Sequence, residues 1–154
     1  MNFVKVFLMA KTSGIYYLCN CNIDDNMKRM REIDAYIFDV LVPKYASFDA
    51  AHKEDHALTV IGQAMKLLDD RKEWLLSQDV PAVEWSVSVD RQVLKMAAAC
   101  HDLGLVNGRD RHHLDSGVII RNDEELRRWF TPEEIEIIAQ AAEDHRASGT
   151  STPR

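Results

Sequence analysis

All six histidines of the chain fall between His52 and His145, in four places: His52/His56, His101, His112/His113 and His145. His101 is followed directly by Asp102, and the pair closes the small-residue run Met96-Ala97-Ala98-Ala99-Cys100. Histidines spread for surface polarity would not avoid the first third of a chain and then gather beside carboxylates. The grouping reads as a ligand set. Imidazole holds a borderline divalent cation through a neutral lone pair, and a carboxylate offsets part of its charge. A cation held this way lowers the pKa of its water and polarises a phosphoryl oxygen, so the chemistry these residue types suit is hydrolysis.

The elements that must carry these groups are helices. From Asp24 to Tyr45 the apolar residues Met27, Met30, Ile33, Ile37, Phe38, Val40 and Leu41 recur at helical spacing, and Pro43 marks an end or kink. A second helix fits Ala51 to Leu76, with Leu58, Ile61, Met65 and Leu68 on one stripe and with His52 and His56, four apart, sharing a face. The stretch Ser77 to Ser86 contains Pro81 and reads as a loop. A third helix starts at Ser88 or Asp90, either a good N-cap, and runs to the dyad, with Gly104 as its stop. Asn107-Gly108 marks a turn, a fourth helix covers His112 to Arg121 and a short fifth Glu124 to Phe130. The sixth has the clearest start: Thr131-Pro132-Glu133-Glu134 is a capping box with proline at the first helical position. No strand-like alternation of any length follows residue 22, so the expected fold is all-α, a compact bundle of about six helices. A bundle builds a metal site from side chains on facing helices.

At 154 residues, one domain with a real core is expected. A formal net charge of -6 argues against a binder of nucleic-acid duplexes, which needs a basic face. Positive charge is local to the histidine-rich half, at Arg109, Arg111, Arg121, Arg127, Arg128 and Arg146, and suits a small anion. Three cysteines form no closed disulfide set, Cys19 and Cys21 lack a second pair for a structural zinc site, and Cys100 reads as buried. Residues 1–10 are apolar, but Lys5 and Lys11 interrupt them without a small-residue cleavage site, and no later stretch spans a bilayer. A cytoplasmic protein without membrane contact is expected, with residues 1–26 as an extension of uncertain structure and 27–154 as the domain.

Four motifs in order resemble the HD superfamily of metal-dependent phosphohydrolases. They are His56-Ala57-Leu58-Thr59-Val60, Ala97-Ala98-Ala99-Cys100-His101-Asp102-Leu103-Gly104, His112-His113-Leu114-Asp115-Ser116-Gly117, and Glu143-Asp144-His145-Arg146. The resemblance spans about residues 27–154. It implies His56, His101 and Asp102 as metal ligands, joined by His113 and His145 in members with two metals. It implies one or two divalent ions, with Mn, Fe, Mg, Ni and Zn not distinguished. It also implies a further aspartate ligand, in a helix beyond the segment at which this chain ends, Arg154. The expected substrate is a nucleotide or another small phosphate ester.

Further roles follow from the residues beside these. Neighbouring helical residues point in different directions, so only one of His112 and His113 should face in; the resemblance implies His113 as the ligand, which leaves His112 as an expected substrate contact. His52, at a helix start, is expected to be structural. Asp102 would orient the nucleophile and Asp144 would accept a proton. Arg109, Arg111 and Arg146, with Lys53, are the candidates to hold phosphate, because guanidinium forks match its oxygens. Asp55, Asp110, Asp115 and Asp144 are candidate acceptors for the second nitrogen of the histidines. Trp129-Phe130 reads as core before base stacking. A zincin protease is excluded: Lys53 and Asp55 occupy the places in His52-Lys53-Glu54-Asp55-His56 where its motif or the inverted form needs glutamate. Two alternatives stay open, a non-catalytic module binding a nucleotide or partner and a di-iron oxygenase on the same fold. A homo-oligomer is also compatible with the sequence.

Overall fold

The computed structural model describes residues 23–77 and 90–146. Residues 1–22 of the expected extension, with Cys19 and Cys21, lie outside the described residues, as do residues 78–89, which hold most of the expected loop, and residues 147–154. Every regular element among the described residues is helical. No helix among them is long and apolar enough to cross a membrane.

Helix α1, Ile23–Ala35, begins inside the span assigned to the extension and passes without a break into a π-helical turn, Tyr36–Leu41. One α turn, Val42–Lys44, and one 3-10 turn, Tyr45–Ser47, close the segment, with Pro43 tolerated in the first turn after the π winding. Ile33, Ile37, Leu41 and Tyr45 are all fully buried. Their four-residue spacing explains the winding. In an α-helix each such step overshoots one turn by about 40°, so three steps would carry Tyr45 off the buried face. The i→i+5 bonds of a π turn wind more residues into each turn and bring the stripe back. Met27, Met30, Phe38 and Val40, also expected on the apolar stripe, are exposed, so periodicity overstated its buried face.

Helix α2, Glu54–Ser77, starts later than the expected Ala51, because residues 49–53 form turns in which the Asp49 side chain accepts from the Ala51 N–H. It buries Ala57 and Ile61, while Leu58 faces out. Helix α3, Arg91–Cys100, is capped by Asp90, whose carboxylate accepts from the Gln92 and Val93 amides. Met96, Ala97, Ala98, Ala99 and Cys100 are all buried. A half-helix apolar on every side belongs at the centre of a bundle, and α3 packs on α2, on the π turn and on the last helix. Its small side chains let those neighbours come close.

After the dyad, a 3-10 turn, Leu103–Asn107, leads to helix α4, His112–Asn122, against which it packs. Gly108, with φ 105°, supplies the turn expected at Asn107-Gly108. The expected fifth helix is only a 3-10 turn, Leu126–Arg128, pinned by buried Leu126. Helix α5, Pro132–Asp144, has both hydrogen bonds of the capping box and packs on α3 and α4. Trp129 is partly buried and Phe130 is in the core, where Trp129 donates to Glu32.

Candidate metal centre

The dyad sits where α3 stops. In a continuing helix the Asp102 N–H would bond to the Ala98 carbonyl. Here that carbonyl accepts from His101 Nδ1 at 2.8 Å, and the Asp102 N–H leaves the ladder. Both side chains then turn inward, leaving His101 8% and Asp102 2% exposed.

Asp102 is the hub of two triads. Its Oδ2 lies 3.0 Å from His101 Nε2 and 3.3 Å from His56 Nε2, and those two nitrogens are 3.1 Å apart. Its Oδ1 lies 3.1 Å from His145 Nε2 and 3.3 Å from His112 Nε2, themselves 3.2 Å apart. Four helices thus contribute: the first turn of α2, the turn after α3, the first residue of α4 and the residue after α5.

The proton inventory of this cluster identifies what it suits. His101, His112 and His145 each present Nδ1 to the carbonyl three residues back, those of Ala98, Arg109 and Ala142. A carbonyl only accepts, so each Nδ1 carries a proton, and in the neutral ring Nε2 is a bare lone pair. Those lone pairs face one another and a carboxylate. While the rings are neutral, Asp102 Oδ1 is buried without a hydrogen bond, although it lies 3.1 Å from an imidazole nitrogen. Atoms bound about 2.1 Å from one cation lie about 3.0–3.4 Å from each other in octahedral or tetrahedral arrangements, the spacing within each triad. Each triad thus has donors of the type and spacing that could hold a divalent cation.

Electrostatics agree with this reading. Burial alone would push the Asp102 carboxyl up, and the imidazoles of His101 and His145 more than reverse that, holding it below the ordinary carboxylate range. Burial and the facing His101 hold the His56 imidazole below its ordinary value.

The structure brings His112, and not His113, to the second triad. His112 is buried in the second triad, whereas His113 is absent from both, its Nδ1 buried without a partner. The cause is Gly104. A Cβ there would run into the His112 carbonyl and come within 2.5 Å of the Ser116 amide, so only glycine lets α4 lie against the dyad turn. The Gly104 N–H donates to Ser116 Oγ at 2.8 Å, which fixes the first turn of α4 with His112 inward. Gly104 therefore acts by close approach, and the positive φ that favours glycine is found at Gly108 instead, at the end of the 3-10 turn. The carboxylates expected behind the histidines are replaced in that role by backbone carbonyls. Sequence reasoning could not single these out, because every residue has one.

The remaining site residues form a rim. Asp144 is exposed on the last turn of α5. Arg146 is exposed and donates from Nη1 to the Asp110 carbonyl at 2.7 Å, tying the end of α5 to the loop before α4. Arg109 lies 3.7 Å from Asp49, whose other oxygen accepts from His52 Nδ1 at 2.7 Å. The His52 and His56 rings meet edge to face, 5.3 Å between centroids. Arg111 and Lys53 are exposed, and the Lys53 carbonyl accepts from the His56 and Ala57 amides at the start of α2.

Nothing among curated proteins or solved structures matches the chain. A family model described as HD domain matches residues 54–152, a span that holds all five residues of both triads, and the chain belongs to the HD domain family.

Proposed function

We propose that the chain is a metal-dependent phosphohydrolase acting on a nucleotide or another small phosphate ester. One observation carries this reading: five buried or half-buried donors converge in two triads on Asp102, with three of the four imidazole protons committed to carbonyls. Membership of the HD domain family supports it. Divalent cations held there would supply a water of lowered pKa and polarise the oxygens of the phosphoryl group, whose phosphorus that water attacks.

The chain's own groups do the rest. Asp102 stays ionised and shares its two oxygens between the triads. The carbonyls of Ala98, Arg109 and Ala142 fix the tautomers of His101, His112 and His145. Arg146 and Arg109, with Arg111 and Lys53 further out, hold the phosphate at the rim. Asp144, next to His145, takes the proton released on attack.

The test is to measure bound metal and phosphate release together. Metal-free chain is titrated with Mn(II), and release of inorganic phosphate is followed from nucleoside monophosphates and from a phosphodiester. Metal-dependent release, lost in His101→Ala, is expected. Metal binding without release from any ester favours the binding module, and dioxygen uptake by the Fe(II)-loaded chain favours the oxygenase.

A further inference from the structure

The residue that frees the dyad from the helix is Tyr45. Its hydroxyl donates to the Ala99 carbonyl at 2.9 Å and accepts from the Asp102 N–H at 3.3 Å. Each of these backbone groups is released by the ending of α3, and each is buried. Without the phenol both would stand unpaired, one of them on the residue that joins the two triads.

The placement is specific. Tyr45 is fully buried, held edge-on by Phe48 at 5.1 Å between centroids, with the His101 ring 6.2 Å away. It reaches this position because the π turn Tyr36–Leu41 returns the 33, 37, 41, 45 stripe to the bundle. A phenolic hydroxyl has one proton to give and lone pairs to accept, so it serves as donor and acceptor together.

We propose that Tyr45 is a positioning residue for the metal centre, setting the orientation of the Asp102 carboxylate through the Asp102 N–H and the Ala99 carbonyl. This rests on the metal-site reading above. A residue that only stabilised the core would affect folding and leave coordination alone. A positioning residue changes the geometry at the ion.

Co(II) is the probe, because its visible absorption reports coordination geometry and its titration gives affinity. The full chain is compared with Tyr45→Phe and with Tyr36→Phe, which removes a hydroxyl from the same segment, one bonded to Asp123 at 2.6 Å and not to the dyad. Tyr45→Phe is expected to weaken Co(II) binding about 10-fold or more, the loss typical when a partner behind a metal ligand is removed, and to change the spectrum. Tyr36→Phe is expected to keep both affinity and spectrum while losing thermal stability. Should Tyr45→Phe not fold, 4-aminophenylalanine at position 45 keeps the shape and the donor but is a poor acceptor for the Asp102 N–H, and weakened binding is expected again. Wild-type affinity and spectrum in the folded variant would overturn the proposal. A wild-type chain that binds no Co(II) would overturn the metal site itself, and this proposal with it.

Discussion

Asp102 Oδ1 and His145 Nε2 lie 3.1 Å apart, joining the end of α3 to the end of α5, while Nδ1 of the same ring is bonded to the Ala142 carbonyl. Burial pushes the His145 imidazole down, and Asp102 with that carbonyl more than reverses it, so its pKa stands above the ordinary value. In the metal-free chain His145 therefore holds a proton above about pH 6.5. Because the folded value is the raised one, this contribution to stability is fully present below about pH 6.5 and is lost as pH rises through the folded value.

Metal affinity runs the other way, since the ion must displace that proton. Apparent affinity for Mn(II) is expected to rise as pH climbs above about 6.5 through the raised value of His145, with release of a proton. Calorimetry in two buffers of different ionisation enthalpy measures it. No proton release across that range would mean that His145 is not a ligand.

His112 and His113 separate the two triads from their surroundings. His112→Ala should remove the ion at Asp102, His112 and His145 while leaving the one at His56, His101 and Asp102, so metal content falls from two ions toward one. His113→Ala should leave metal content unchanged, because that ring belongs to neither triad. Elemental analysis of the two purified variants checks this. Equal metal loss in both would mean that α4 starts in a different register.

What could be read from the sequence was local. The capping box at Thr131 and Glu134 and the cap at Asp90 form within a few residues, and both are present as expected. The dyad, His56 and His145 carried their signal in residue type and order. The π turn carried none, because a stripe every four residues reads as helical whichever winding satisfies it. The choice between His112 and His113 was illegible for a related reason. It depends on how closely α4 approaches the dyad turn, which Gly104 permits and Ser116 fixes across 12 residues of sequence. Tyr45 was visible only as the end of a helix, since its partners Ala99 and Asp102 lie more than fifty residues away.

Gly104→Ala tests that contact directly. The added Cβ would meet backbone atoms of α4, which cannot rotate aside as a flexible side chain could. Overpacking of this kind costs about 1–3 kcal/mol. It should also draw His112 away from Asp102, so the second ion is lost along with the stability. Denaturant unfolding of the metal-free variant and its metal content check both effects. A variant as stable as the wild type and binding the same metal would show that the turn and α4 can separate without consequence.

Arg146→Ala tests the rim. One nitrogen of this guanidinium is engaged by the Asp110 carbonyl, which leaves donors on the same exposed fork for an anion beside His145. Arginine does not ligate the ion, so metal content should hold. A hydrogen bond to a charged group contributes about 1.5–3 kcal/mol, so KM for a phosphate ester should rise about 10-fold or more. Arg146→Lys should not restore it, because an ammonium cannot keep the Asp110 carbonyl and present a planar pair of donors together. Steady-state kinetics at saturating Mn(II) give KM and kcat separately. An unchanged KM, with metal lost instead, would make Arg146 a strap between α5 and the α4 loop and no part of phosphate binding.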